Sequence, residues 1–173
     1  MAVIKNNIVI LGAMRNVNIQ VAKCLSTDLD MLFFCVDKAV ESHYGMSTGC
    51  LIDDFGIETY YDMVRDYISN AKNKNAIIVT AGEVLTRKVN FTKLKENAYI
   101  VLLYADDVAT RVRIKKDESY PIKNDVLNNL LAIREIIKVD ASAVADIIID
   151  TTAKPAQQVA EEIIAKVEYL GNE

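Results

Sequence analysis

The sequence predicts a three-layer α/β/α protein built on a parallel five-stranded sheet. Two observations carry that expectation. Five short runs are apolar almost without interruption and rich in β-branched residues, as strands covered on both faces must be. Between them lie longer stretches whose apolar positions recur at helical spacing, the alternation from which parallel sheets are built. At 173 residues the default is one domain spanning 1–173, long enough to bury a single good core.

Residues 8–11 form the first strand, and Gly12 ends it. Ile19, Val21, Ala22 and Leu25 then supply the apolar stripe of a first helix. Residues 31–36 read as a second buried strand closed by Asp37, and 38–44 as a helix ended by Gly45, a residue that accepts the left-handed turn after a helix. From 47 to 68 runs a helical region jointed at Gly56, whose second piece carries Tyr60, Met63, Val64, Tyr67 and Ile68 toward the sheet. The third strand is 76–80, followed by a short helix over 90–96 and the fourth strand over 99–104. Asp106 and Asp107 open a helix reaching Lys116, with carboxylates at its positive end. Residues 117–125, with Pro121, read as a polar excursion, and 126–138 as a helix. The fifth strand is 146–150, a Thr-Thr-Ala-Lys-Pro loop follows, and 156–170 is the closing helix. Ligands of such sheets bind at the carboxyl ends of the strands. A site is therefore expected in the loops 12–19, 35–38, 81–83 and 151–155.

Composition excludes several classes of function. Apolar residues make up 51% and charged residues 25%, ordinary for a globular protein. Net charge is −4 and basic residues form no long run, which argues against a nucleic-acid surface. No apolar run approaches the roughly 18 residues of a membrane span. The chain enters its first strand from Met-Ala-Val-Ile-Lys without a signal-peptide pattern, so a cytoplasmic location is expected. Cys24, Cys35 and Cys50 have no metal-type or paired spacing and read as small buried apolar side chains.

The first strand, its glycine and the helix after it form the frame in which proteins build a phosphate cradle. The pattern is G-x-x-x-x-G-K-[ST]: glycines let the backbone wrap a phosphate, Lys reaches the β/γ-phosphates, and a hydroxyl holds Mg²⁺. Counted from Gly12, Arg15 and Asn16 fill the intervening positions. The second glycine falls on Val17, the Lys on Asn18 and the hydroxyl on Ile19. The frame is present without its chemistry.

Taken together, the chain resembles the shikimate kinase family of small P-loop kinases, from Asn7 to about Ile164. The passages that carry the likeness are Leu29-Asp-Met-Leu-Phe-Phe-Cys-Val-Asp37, Tyr44-Gly-Met-Ser47, Asn90-Phe-Thr-Lys-Leu94, Ala105-Asp-Asp107 leading to Arg113, and Val144-Ala-Asp-Ile-Ile-Ile-Asp-Thr151. The resemblance implies strand order 2-3-1-4-5, substrate-binding helices over about 38–70, a lid over about 114–125, and Mg-ATP-dependent phosphorylation of a shikimate hydroxyl. The family's phosphate loop resembles G-x-M-G-A-G-K-[ST]-T, against Gly12-Ala-Met-Arg-Asn-Val-Asn-Ile-Gln20 here. Its D-x-D motif keeps only the second carboxylate, Asp37, with Cys35 in the first place. Asp37 either meets a substrate hydroxyl, assisting its deprotonation, or caps the next helix. The substrate arginine of F-R-x-x-E falls on Tyr61, the glycines after strand three on Ala81, Gly82 and Glu83, and the lid arginine on Tyr120. The last substrate arginine aligns on Arg134 only if extra residues follow it. Glu83 sets a negative charge where an anion would approach, and bidentate guanidinium grips on a substrate acid are mostly lost. Tyr61 and Tyr120 have the ring volume to fill the substrate pocket. At the adenine end Arg113 falls on the family's base-stacking arginine and Pro155 on the other side of that slot. Arg113 is equally readable as a solvated helix charge.

His43 has no ligand-spaced partner, and the adjacent pairs Asp53-Asp54 and Asp106-Asp107 do not face one another on a helix. No metal site is expected from them. The favoured expectation is a family member impaired or inactive in phosphoryl transfer, retained for nucleotide sensing or for binding a protein partner or a second copy. The alternative is a working kinase for shikimate or another small hydroxy compound, with Arg15 or Lys23 recruited as the missing cation. The residues commit to no cofactor of their own; Mg-ATP is implied only if the family activity survives. A nucleotide or small hydroxy acid is the corresponding ligand.

Overall fold

Residues 7–12, 14–71, 75–80, 92, 95–116, 131, 135 and 142–172 are described by the computed structural model. The strands are β1 (Asn7–Leu11), β2 (Leu32–Cys35), β3 (Ala76–Val79), β4 (Ala98–Tyr104) and β5 (Ile147–Asp150). They pair in parallel in the order β2-β3-β1-β4-β5, the order the resemblance implies. The helices are α1 (Arg15–Asp28), α2 (Val36–Tyr44), α3 (Thr48–Phe55), α4 (Ile57–Ala71), α5 (Asp107–Lys116) and α6 (Ala156–Gly171).

Because successive strand residues point to opposite faces, the continuous apolar runs feed two cores at once. Val9, Leu11, Ile78, Ile100 and Leu102 face α2–α4, where Val40, Leu51, Tyr60, Val64 and Ile68 meet them. Ile8, Ile10, Ile77 and Val101 face α1 and α6, meeting Leu25, Val159 and Ile163. The stripe expected on α4 is therefore real: Tyr60, Val64 and Ile68 are buried, with Met63 and Tyr67 packed at its margin. Gly45 closes α2 at φ 66° and Gly56 joints α3 to α4 at φ 83°, both in the region that favours glycine. Ser47 caps α3 by accepting from the Cys50 amide at 3.2 Å, and Asp106 caps α5 by accepting from the Ala109 amide at 2.7 Å.

Three expectations are corrected. The stretch 12–19 is not all loop: α1 starts at Arg15, and the Asn18 amide donates to the Met14 carbonyl at 3.0 Å as an ordinary helical bond. With no glycine between Gly12 and the helix, nothing in Arg15-Asn-Val-Asn18 resists helical φ/ψ. The stretch 35–38 holds no loop either, since β2 ends at Cys35 and α2 begins at Val36. Asp37 thus lies inside the first turn and does not cap α2; the cap position is Cys35, which supplies no side-chain bond. Of the cysteines only Cys35 is buried; Cys24 is half-buried and Cys50, beside the inward-facing Leu51 on α3, is exposed. All three are free thiols. In the segments 90–96 and 126–138, Thr92, Lys95, Leu131 and Glu135 are helical, and Glu96 is already in a turn. The excursion 117–125 lies outside the described residues, so the lid range is represented only by the last turn of α5.

Candidate functional site

The carboxyl end of β1 turns directly into α1. Gly12 sits where an added Cβ would lie 2.7 Å from the Leu103 carbonyl oxygen and 2.8 Å from Asn18 Oδ1, so only glycine fits. Asn18 is 1% exposed, and its Nδ2 donates back to the Gly12 carbonyl at 3.0 Å. Asn18 Oδ1 and Thr80 Oγ1, at the end of β3, are buried with no hydrogen-bond partner. Ile19 is 8% exposed and belongs to the core between sheet and α1. Met14, in the cap position of α1, provides no side-chain bond; it packs with Ile114 of α5, Val17 and Leu131 in a small apolar cluster over the helix start. Asn16 is exposed.

Arg15, the first residue of α1, reaches sideways to α2. Its Nη1 and Nη2 donate to Glu41 Oε1 and Oε2 at 3.1 and 2.8 Å, a bidentate pair. Glu41 Oε1 also accepts from the Thr48 amide and hydroxyl, both at 3.0 Å, at the start of α3. The hydrogen bonds from Arg15 hold the Glu41 carboxyl down to about 2, and the same pairing raises Arg15. One turn earlier on α2, Asp37 is buried, which pushes its carboxyl up, while the Tyr60 hydroxyl and the charge of Arg15 pull the other way. The Tyr60 hydroxyl, from α4, donates to Asp37 Oδ1 at 2.5 Å. Burial and the neighbouring Asp37 push that phenol upward. Tyr61 is buried beside it in the same core, the two rings 6.2 Å apart. Burial likewise raises the Cys35 thiol.

At the other end of the sheet Arg113, in the last turns of α5, is half-buried. Its Nη1 donates to Thr151 Oγ1 at 2.9 Å and its Nη2 to the Thr151 carbonyl at 2.5 Å. Thr151 Oγ1 donates in turn to the Tyr104 carbonyl at 2.9 Å, and the Lys154 amide closes the turn onto the Thr151 carbonyl at 3.3 Å. Pro155, exposed, stands at the cap position of α6. Asp150, exposed at the edge, is held below its ordinary value by hydrogen bonds from Thr152, with Lys154 and Arg113 adding to the effect. Arg113 is therefore pinned at the loop, not a freely solvated charge.

Gly82, Glu83, Tyr120 and Arg134 lie outside the described residues. Exposed His43 packs edge-on against Tyr44, 4.8 Å between centroids. Among the described residues no His, Cys, Asp and Glu cluster is arranged to hold a metal, and no helix is long and apolar enough to cross a membrane.

Comparison with known proteins decides the family. The shikimate kinase family model matches residues 20–168. The chain belongs to the shikimate kinase family. It is 30% identical over 169 residues to a shikimate kinase of Thermodesulfovibrio yellowstonii, covering 96% of this chain and 97% of that one. It is 31% identical over 161 residues to one of Caldanaerobacter subterraneus subsp. tengcongensis, covering 91% and 94%. Among solved structures, the shikimate kinase of Acinetobacter baumannii in complex with shikimate superposes with a TM-score of 0.78 at 22% identity, over 96% of this chain and 94% of that one. That of Aquifex aeolicus gives 0.75 at 21% identity, over 94% and 96%. The fold is the shikimate kinase fold.

Three members of the cluster on α2–α4 escape a reading by motif: Glu41, Thr48 and the hydroxyl of Tyr60. One signal for Tyr60 was present, because it aligns with the Phe of F-R-x-x-E and so adds a hydroxyl to an aromatic position. Glu41 and Thr48 carry no such mark.

Proposed function

We propose that this member of the shikimate kinase family is impaired or inactive in phosphoryl transfer and keeps its scaffold for sensing a nucleotide through its base or for binding a partner. The observation that carries the reading is Asn18 turned down onto the Gly12 carbonyl while α1 runs on from Arg15. A phosphate cradle needs amides left open ahead of the helix, a cation beside them and a hydroxyl for the metal. Here the Asn18 amide is spent within the helix, its side chain is neutral and points inward, and the hydroxyl position is a core isoleucine. The cluster of Met14, Val17, Ile114 and Leu131 adds apolar surface at the helix start, where a triphosphate needs polar partners. These residues do not fit a magnesium-bound triphosphate. Asp37, the carboxylate matched to the family's substrate contact, has one oxygen already taken by Tyr60.

Support for a retained base contact comes from Arg113, whose plane is fixed on Thr151 beside Pro155, an arrangement that offers a guanidinium face for stacking without any metal. On this reading residues 1–173 are one domain, with 36–71 as the former substrate half. The alternative of a working kinase with a substitute cation loses support from the bidentate engagement of Arg15 with Glu41; exposed Lys23 lies further along α1.

The test is direct. Purified protein is incubated with Mg-ATP and shikimate, and ADP release is followed. The expected result is no shikimate-dependent release above the control. Turnover at the ordinary kinase rate of about 1–100 s⁻¹ overturns the proposal. Light scattering on a sizing column, with and without nucleotide, separates the sensing role from a self-associating or partner-binding one.

A further inference from the structure

Four helices send one polar side chain or more into one group of neighbours. Arg15 opens α1, Asp37 and Glu41 lie one turn apart on α2, Thr48 opens α3, and Tyr60 comes from α4. The links form two runs side by side: Arg15 to Glu41 through two bonds and Glu41 to Thr48 through two more, and, one turn earlier on α2, Tyr60 to Asp37 at 2.5 Å. We propose that this group is a latch that holds α2–α4 shut against the carboxyl ends of β1 and β2, and that while it is closed Asp37 is denied to an outside hydroxyl.

Three features single the group out from ordinary surface pairing. Glu41 accepts four hydrogen bonds, three at Oε1 and one at Oε2, from two other helices. Asp37 is 3% exposed, so the Tyr60 hydroxyl works against a desolvated carboxyl and not against water. The bonds also cross between faces of the sheet: α1 packs on the other face, and among the described residues Arg15 carries a charge-paired bond from it to α2. A hydroxyl compound seeking Asp37 has to displace the phenol first. Segments that admit ligands are commonly those that open at low cost, and here such opening is opposed by side chains with no counterpart in the apolar core.

The latch deepens the reading of lost phosphoryl transfer, and its functional meaning rests on that reading. Its physical content is separate. Native-state hydrogen exchange is measured on the whole chain and on two variants, Tyr60→Phe and Glu41→Gln. Tyr60→Phe keeps the ring in the core and removes the hydroxyl alone; Glu41→Gln keeps the shape and weakens the grip on Arg15. Both are expected to speed exchange of the α2–α4 amides by about ten-fold or more, with β1, β4 and α6 unchanged. Equal acceleration across all elements, or no acceleration in α2–α4, overturns the latch, because either result reduces these bonds to general contributions to stability. If one variant fails to fold, the other decides the matter by the same comparison of α2–α4 with the rest. Turnover of shikimate by the native chain would end the functional reading and leave a selective exchange result standing; uniform exchange would end the latch and leave the turnover result untouched.

Discussion

At the ends of β1 and β2 the polar side chains are turned inward, onto one another or onto the Gly12 carbonyl, whereas at the ends of β4 and β5 they lean on the Thr151 loop and keep a face to solvent. Asn18 bonds the Gly12 carbonyl, Arg15 is clamped by Glu41, and Asp37 is covered by Tyr60. Arg113, by contrast, leans on the Thr151 carbonyl and hydroxyl while staying half-exposed, near exposed Asp150. The difference teaches how a binding rim is closed. Where the motif's Lys and hydroxyl positions hold Asn18 and Ile19, the amide turns onto the Gly12 carbonyl and the isoleucine joins the core, and the rim folds in on itself. Where one planar cation remains with backbone acceptors behind it, the rim stays presentable.

The largest effect should come from trying to reopen the closed end. A Val17→Gly, Asn18→Lys, Ile19→Ser variant restores the motif on paper. In this fold Asn18 is 1% exposed, so a lysine there carries an ammonium into a buried site, a cost of several kcal/mol. Ile19→Ser removes a core side chain for ~2–5 kcal/mol more. The expected outcome is a protein that unfolds at markedly lower urea, with no gain in Mg-ATP affinity by calorimetry. Native stability together with new triphosphate binding would break the comparison, since it would mean the rim opens freely.

Most of the frame was legible in residues 7–172, and the closed rim was not, for a physical reason. Strands betray themselves because both faces are covered and the run stays apolar, as in Ala76–Val79; Gly45 and Gly56 betray the helix ends because their φ is positive. The match of Gly12 to a cradle was equally visible. What motif spacing could not show was that α1 begins at Arg15, since Arg, Asn and Val are compatible with either loop or helix. Nor could it show Arg15 meeting Glu41 or Asp37 meeting Tyr60, pairs 26 and 23 residues apart that only the packing of α1, α2 and α4 brings together. The sequence showed where the chain departs from the family's motif; how the side chains there are partnered needed the structure.

A middle-sized effect separates the two acids of the closed end by pH. Glu41, held down to about 2 from an ordinary 4.5, contributes stability that is present above pH 4.5 and lost as pH falls toward 2. Asp37 has the opposite sign: its carboxyl is raised, the folded state binds its proton more tightly, and its contribution is lost as pH rises above 3.8. In chemical denaturation across pH, Glu41→Gln should flatten the acid limb by ~1–3 kcal/mol. Asp37→Asn should leave that limb intact and flatten the decline above it. An unaltered acid limb in Glu41→Gln would mean that Arg15 and Glu41 are apart in solution.

The smallest effect sharpens the open end. If stacking on Arg113 is what remains of nucleotide recognition, the phosphates add nothing, so adenosine and ATP should bind with affinities within a few-fold of each other, with or without Mg²⁺. Arg113→Lys keeps the charge but loses the planar face and the two-pronged hold on Thr151. It should cost ~0.5–1.5 kcal/mol in stability and remove the adenosine signal in calorimetry. Charge alone then would not suffice for binding, which distinguishes stacking from attraction to a negative ligand. ATP binding far tighter than adenosine would show instead that the start of α1 still accepts phosphates. The inward turn of Asn18 would then be a resting arrangement that a triphosphate can reverse, and the two ends of the rim would no longer differ in kind.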